Sequence, residues 1–250
     1  MANFVPLKNH ILYCMDRLLE DHPVASPFLD AGCGIGDVSL HLAKKGLAGK
    51  AIDLSETACR RARSSLLSYP DVKVERKSLF DEHAVYRTVL MFDVLEHLKN
   101  DLPALQKANS LLDRGGMLIL SIPGNPREWR WDDDFYGHLH RYSLDEMRGK
   151  LQETGFSLMT VWDITFPWFW AMRRTYTLIL RPSSARSGLS AEERTTLSSY
   201  SNAWQIPVFS DWLSSSGGRI WNLLSKVQFV CFRHCVRYGF EWIAAARKTA

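Results

Sequence analysis

The stretch Leu29-Asp30-Ala31-Gly32-Cys33-Gly34-Ile35-Gly36-Asp37 decides the fold. Phe28-Leu29-Asp30-Ala31 reads as the end of a buried strand, and three glycines at alternate positions follow at once. Asp37 to Lys45 then reads as a helix, with Val38 and Leu42 one turn apart and Gly46 as its stop. Glycine allows a tight turn and lets backbone approach a ligand with no Cβ in the way. The helix that follows offers free N–H groups at its N-terminus.

Working outward, the same alternation continues. Ala51-Ile52-Asp53-Leu54 is a second strand, and Ser55 is placed to cap a helix through Leu67 that Tyr69-Pro70-Asp71 terminates. Further strands are expected at 72–75, 85–92, 117–122 and 156–164. Asp101 is read as the cap of a helix whose face carries Leu105, Ala108, Leu111 and Leu112, ended by Gly115-Gly116. Ser143 with Glu146 forms a capping-box signature for a helix that stops at Gly155. Strands alternating with helices predict an α/β fold: a Rossmann-like, doubly wound, mostly parallel seven-stranded sheet with helices on both faces. Residues 1–165 are read as its core, with 1–24 as an N-terminal helical segment. Residues 166–235 break the rhythm and read as a lid-like helical insertion, including a Ser/Arg-rich linker from Pro182 to Ser190. Residues 236–250 return a last strand at Phe240 to Ala245. Ligands of such sheets bind beyond the carboxyl ends of the strands.

Composition limits the function classes. The 250 residues are 46% hydrophobic and 23% charged, a globular balance. No apolar run approaches the length of about 18 residues that reads as a membrane span. Met1 to Glu20 lacks a basic segment followed by an apolar core, so no secretory signal is expected. Five Cys without a repeated pair spacing favour a reducing, cytoplasmic setting over a disulfide framework or a zinc site. Residues 166–250 hold 11 Lys/Arg against 4 Asp/Glu and six of the nine Trp. The aromatic run Phe166-Pro167-Trp168-Phe169-Trp170 with Arg173-Arg174 reads as core or as a half-wet edge, and 166–181 is the expected place for any peripheral membrane contact. No RNA-binding signature is present, so no nucleic acid is expected.

The glycine loop narrows the ligand. Asp53 lies 21 residues after Gly32, where a carboxylate can accept both ribose hydroxyls of an adenosine ligand. A dinucleotide site wants G-x-G-x-x-G/A, and the sixth positions are Asp37 or Ser39, so a nicotinamide oxidoreductase is disfavoured. A sulfonium nucleoside without phosphates is compatible with the acid Asp30 before the glycines. Asp30-Ala31-Gly32-Cys33-Gly34-Ile35-Gly36, Ala51-Ile52-Asp53-Leu54-Ser55, Phe92-Asp93-Val94-Leu95-Glu96-His97-Leu98 and Leu111-Leu112-Asp113-Arg114-Gly115-Gly116-Met117-Leu118-Ile119 follow in that order. Together they resemble the motifs of class I S-adenosylmethionine-dependent methyltransferases. The resemblance covers about residues 25–165 and implies S-adenosylmethionine as cofactor and S-adenosylhomocysteine as product. It implies cofactor contacts at Asp30, Gly32, Cys33, Gly34, Asp53, Leu54, Ser78, Leu79, Phe92 and Asp93. Ser78 stands where such proteins often carry Asp.

For the acceptor side, Trp129, Trp131, Asp132, Asp133, Asp134 and Tyr136 lead into Gly137-His138-Leu139-His140-Arg141-Tyr142. This run resembles a "W…D…GHxRRY" segment of bacterial members, with His140 in place of an Arg. His138 is the first candidate base and His97 the second, because an imidazole can exchange protons near neutral pH. Arg141 and Tyr142 complete the catalytic set as organisers of the pocket, with a self-paired loop as the alternative reading. The site is read as metal-free, with Asp93, Glu96 and His97 as the alternative for a divalent metal. The expected activity is methyl transfer to a small-molecule or lipid-like acceptor, with oxygen preferred. A non-catalytic scaffold that kept the fold is the other class.

Overall fold

In a computed structural model, residues 6–179, 188–198 and 217–249 are described. Among them, seven strands form one sheet: β1 (Phe28–Ala31), β2 (Gly49–Asp53), β3 (Val72–Arg76), β4 (Tyr86–Phe92), β5 (Leu112–Pro123), β6 (Phe156–Asp163) and β7 (Glu241–Lys248). Their order is β3-β2-β1-β4-β5-β7-β6, and β7 alone runs antiparallel, to both β5 and β6. The order reverses between β1 and β4, which places the ligand crevice beyond their carboxyl ends.

The central strands are buried on both faces, while the edge strands β3 and β6 are partly exposed. Leu29, Val89, Met91, Leu118 and Leu120 pack on one side, and Phe28, Leu90, Ile119, Ile243 and Ala245 on the other. Covering both layers are α1 (Pro6–Asp21), α2 (Asp37–Lys44), α3 (Glu56–Ser65), α4 (Leu102–Leu111) and α6 (Leu144–Glu153). Ser55 accepts from the Ala58 N–H and Ser143 from the Glu146 N–H, so both cap assignments hold. Asp101 does not cap α4. Its carboxylate instead receives the Tyr142 hydroxyl at 2.8 Å and the Lys150 ammonium at 2.7 Å, two stronger donors than an exposed helix N–H. The Gly115-Gly116 pair lies inside β5 rather than after α4, because the helix already ends at Leu111. The last strand starts one residue later than expected and runs to Lys248.

Between β6 and β7 the described residues form α7 (Trp168–Ile179), α8 (Ala191–Ser198) and α9 (Gly217–Phe232). The linker read at Pro182–Ser190 lies outside the described residues up to 187. A short helix, α5 (Trp131–Tyr136), overhangs the end of β5. Buried Arg173 of α7 donates to Asp132, to Asp133 and to the Glu128 carbonyl, so α7 is clamped to this overhang. Phe169 is buried and stacks on His10 of α1, while Trp168, Leu178 and Ile179 are exposed. The aromatic run is therefore divided between core and surface. No described helix is long and apolar enough to cross a membrane.

Candidate active site

The glycine loop sits where the sequence puts it. Gly32, Gly34 and Gly36 all have positive φ, at 79°, 53° and 85°. A Cβ on Gly32 would collide with Val94, and one on Gly36 would press into Ala62, so glycine is required for space as well as for the turn. The loop is hooked to β2: the Gly34 N–H donates to Asp53 Oδ2 at 2.9 Å and the Ser55 N–H to Asp53 Oδ1 at 2.8 Å. Each carboxylate oxygen of Asp53 keeps lone-pair capacity beyond these amides. Burial pushes the Asp53 carboxyl up, and the amide hydrogen bonds oppose that.

The other predicted cofactor residues divide into two groups. Leu54 is 70% exposed beside Asp53, and Leu79 packs against the core edge. Ser78 accepts the Phe80 N–H, and Phe92 is half-buried at the end of β4. Asp30 and Cys33 are buried, with the Asp30 carboxylate taken by the Ser39 hydroxyl and the Cys33 thiol directed at the Gly34 carbonyl. Burial raises the Asp30 carboxyl to about 6. Asp30 thus ties β1 to α2, and its carboxylate is already engaged.

Asp93 has φ 55°, a left-handed backbone unusual for a residue other than glycine. Its Oδ1 lies 3.0 Å from the Ser121 hydroxyl, which is also 2.9 Å from Glu241 Oε1. One hydroxyl proton cannot serve two carboxylates. Glu241 is pushed well above the usual carboxylate range by burial, then by Asp93 and Glu96. A protonated Glu241 fits this geometry, donating to Ser121 while Ser121 donates on to Asp93.

The second centre is built by Glu96, His97 and His138. Glu96 is fully buried, and among the described residues neither carboxylate oxygen has a hydrogen-bond partner. His97 Nδ1 lies 3.2 Å from the Gly137 carbonyl and 3.0 Å from the Thr195 hydroxyl of α8. His138 Nδ1 lies 2.9 Å from Asp133 Oδ1. A carbonyl and a carboxylate only accept, so each neutral ring carries its hydrogen on Nδ1 and presents a bare Nε2. Those Nε2 atoms stand 3.9 Å and 4.0 Å from Glu96 Oε1, and the two rings meet edge-on at 5.0 Å. The three groups converge, and among the described residues no hydrogen bond links Glu96 to either ring. Burial, and then His138, lower His97 to about 4, and burial raises Glu96 well above its ordinary range.

This trio offers one ligand atom each within 4.8 Å of one another, a donor set suited to a divalent cation. The trio shares Glu96 and His97 with the alternative metal reading of the sequence. The converging third member is His138, whereas Asp93 is turned to Ser121.

Arg141 and Tyr142 take the self-paired alternative. Arg141 is buried and donates to Asp133, to the Gly124 carbonyl and to the Phe240 carbonyl. Tyr142 is fully buried, with its hydroxyl on Asp101. Both shape the overhang from inside the fold. Burial alone would raise the Asp133 carboxyl, but hydrogen bonds from His138 and Arg141, with the charges of Arg141 and Arg173, hold it well below the usual range. Asp133 is thus a fixed carboxylate behind His138. Sequence reasoning missed the pairing of Asp133 with His138, and it missed Ser121, Glu241 and Thr195. Each reaches the site from a strand or helix far away in the chain, with no local motif to mark it.

Residues 12–161 match the methyltransferase-domain family. The ubiquinone biosynthesis O-methyltransferase of Leptothrix cholodnii is 29% identical over 108 residues, 40% of this chain and 46% of that protein. Pavine N-methyltransferase of Thalictrum flavum subsp. glaucum is 24% identical over 115 residues, 44% of this chain and 32% of that protein. The aligned parts thus span less than half of these relatives. The magnesium protoporphyrin IX methyltransferase of Synechocystis PCC 6803, crystallised with S-adenosylhomocysteine, superposes with a TM-score of 0.58 at 18% identity, covering 100% of this chain and 89% of that one. With S-adenosylmethionine bound, a structure of the same enzyme gives a TM-score of 0.51 at 25% identity, over 64% of this chain and 77% of that one. With the glycine loop, the strand order and the matched region in agreement, the chain belongs to the methyltransferase-domain family, of the class I S-adenosylmethionine-dependent type.

Proposed function

We propose that the protein transfers the methyl group of S-adenosylmethionine to a hydroxyl of a small-molecule or lipid-like acceptor held between the glycine loop and the Glu96–His97–His138 centre. The observation that carries this reading is the convergence of two bare imidazole nitrogens on a buried carboxylate without partners. An acceptor hydroxyl supplies the missing donor. In the transfer, the acceptor oxygen forms a bond to the methyl carbon while the carbon–sulfur bond breaks and its electron pair stays on sulfur. The hydroxyl proton passes to His138 Nε2. The fixed carboxylate of Asp133 stabilises the imidazolium that results, and Asp133 also fixes the ring orientation. S-adenosylhomocysteine leaves without the positive charge. Asp53 would hold the ribose, Leu54 would lie against the adenine, and Gly32 and Gly34 would border the methionine part. Glu96, His97 and His138 would hold a divalent cation if one is used; with His138 Nε2 then occupied as a ligand, such an ion would lower the pKa of the acceptor hydroxyl in place of the imidazole base. Trp168, Leu178 and Ile179 form the face through which 166–181 would meet a lipid surface.

The test is methyl transfer from labelled S-adenosylmethionine into the small-molecule fraction of extracts of the protein's own cell, with magnesium or with EDTA. Label is expected in an O-methyl product, and His138→Asn should abolish transfer while S-adenosylhomocysteine still binds. Unchanged transfer by His138→Asn would remove the assigned base. Reproducible absence of transfer by the wild-type protein would favour a scaffold.

A further inference from the structure

The helix α9 is apolar on its outer face. Its inner face is already satisfied: Ser225, Gln228 and Phe229 are buried, and the Phe229 ring meets Trp162 at 5.2 Å. Gln228 accepts the Trp168 N–H at 2.7 Å and donates to the Ile164 carbonyl at 3.0 Å, which fixes α9 against the start of α7 and the end of β6. The outer face of a surface helix is normally polar. Here it carries Leu223, Val227 and Val230, which are 62%, 50% and 61% exposed. At about 100° per residue these three fall within about 60° of one another and form one stripe. Leu224 and Cys231 lie along one flank of it. Lys226 and Arg233 lie along the other, since the Arg233 N–H still donates to the Phe229 carbonyl and keeps the helical turn.

Two rings and the local charge say what fits this stripe. Trp168, tied to Gln228 through its backbone, is 49% exposed. Tyr238 is 57% exposed, with its ring 5.2 Å from Phe166, which in turn meets Phe232 at 5.7 Å. Trp and Tyr suit the boundary between an apolar phase and water. From 212 to 240 the sequence carries Arg219, Lys226, Arg233 and Arg237 and no Asp or Glu. Lys226 lies over the Tyr13 ring and Arg233 over Trp162 and Phe229, and among the described residues no carboxylate pairs with Lys226, Arg233 or Arg237. A second copy of this chain, docked face to face, would set these cations against their own kind. An anionic lipid surface attracts them.

We infer that the outer face of α9, bordered by Trp168 and Tyr238, docks the protein on a bilayer that contains anionic lipid. Leu223, Val227 and Val230 enter the boundary between headgroups and acyl chains, and Lys226, Arg233 and Arg237 meet the lipid phosphates. The inference rests on the lipid-surface part of the proposed function and moves its weight from α7 to α9, an element beyond the matched region, which ends at residue 161. A helix that lies along a bilayer needs one apolar face and no membrane-spanning length.

The experiment is co-sedimentation of the full chain with vesicles of phosphatidylcholine alone and of equal parts phosphatidylcholine and phosphatidylglycerol. Wild type should bind the mixed vesicles about tenfold or more tightly than the neutral ones, since each cation near the surface contributes about fivefold. Added salt should shrink that difference. Val227→Glu should weaken binding to the mixed vesicles by about tenfold or more, because it puts a negative charge in the apolar stripe. Lys226→Gln combined with Arg237→Gln should remove most of the preference for anionic lipid. All three positions are exposed, and melting curves matching wild type would confirm that the variants fold. No binding of wild type to mixed vesicles, or equal binding by Val227→Glu, would overturn the inference. A wild type that is dimeric without lipid, with Val227→Glu monomeric, would give the face to a second copy and overturn it as well. The assay needs neither cofactor nor acceptor, so its failure leaves the methyl-transfer reading standing, and loss of that reading leaves vesicle binding measurable.

Discussion

Replacing Glu96 by Met should make the protein more stable while disabling it. Glu96 is fully buried and both its oxygens lack partners, so the folded state carries an unsatisfied polar group. Such a group costs about 1–3 kcal/mol. Methionine has similar length, no hydrogen-bonding demand and flexible packing. In a chain of this size each kcal/mol moves Tm by about 2–4 °C, so Glu96→Met should melt about 2–12 °C higher. The pH dependence gives a second handle. Burial raises the folded pKa of Glu96 above its unfolded value. The wild-type contribution is then fully present below the unfolded carboxylate pKa and is lost as pH rises towards the folded one. The advantage of Glu96→Met should therefore be larger at pH 8 than at pH 5. The assay is calorimetry of EDTA-treated protein at both values. A variant less stable than wild type at pH 8 would refute the reasoning, because it would mean that the carboxylate is satisfied in the native state. Added magnesium or manganese should raise the Tm of wild type alone if the trio holds a cation.

Two further outcomes follow from the buried charges. Asp133→Asn leaves Arg141, Arg173 and His138 facing an amide, and urea unfolding should show a loss of about 3–5 kcal/mol; a change below about 1 kcal/mol would mean that this network does not support the overhang. His10 is enclosed by Phe169 and Phe229, and burial lowers it to about 4 from 6.5. The unfolded chain takes up the proton first, so stability falls as pH drops from 6.5 to about 4, by at most about 3 kcal/mol. His10→Leu should flatten that part of the stability–pH curve, and an unchanged slope would show that His10 is not buried neutral.

The fold was legible because its signals are local. Gly32, Gly34 and Gly36 follow a strand, and Ser55 and Ser143 cap helices from within their own turn. Asp101 shows the limit of such reasoning: it has the residue type and position of a cap, but Tyr142 and Lys150, brought by tertiary packing, compete for its carboxylate and win. The site was legible in part. The spacing of Glu96 and His97 in one short segment marked that corner, and the loop around His138 marked the other. Their meeting was not legible, since Leu139, whose N–H donates to the Glu96 carbonyl at 2.7 Å and closes the corner, lies 43 positions further along the chain. Thr195 and Glu241 arrive from beyond the matched region, where sequence alone gave only basic and aromatic character. Charge counting also had a blind side. Asp37 counted against a phosphate ligand, but in three dimensions Lys8 answers that charge.

The central claim is that the glycine loop, hooked to Asp53, grips a sulfur-containing nucleoside. Titration of the purified chain with S-adenosylhomocysteine by calorimetry tests it most directly. One ligand per chain should bind, and Asp53→Ala, which removes both the ribose acceptor and the anchor of the Gly34 amide, should weaken binding by about a hundredfold or more. Folded protein that gives no heat with this ligand, or an Asp53→Ala variant that binds it as tightly as wild type, would contradict the account.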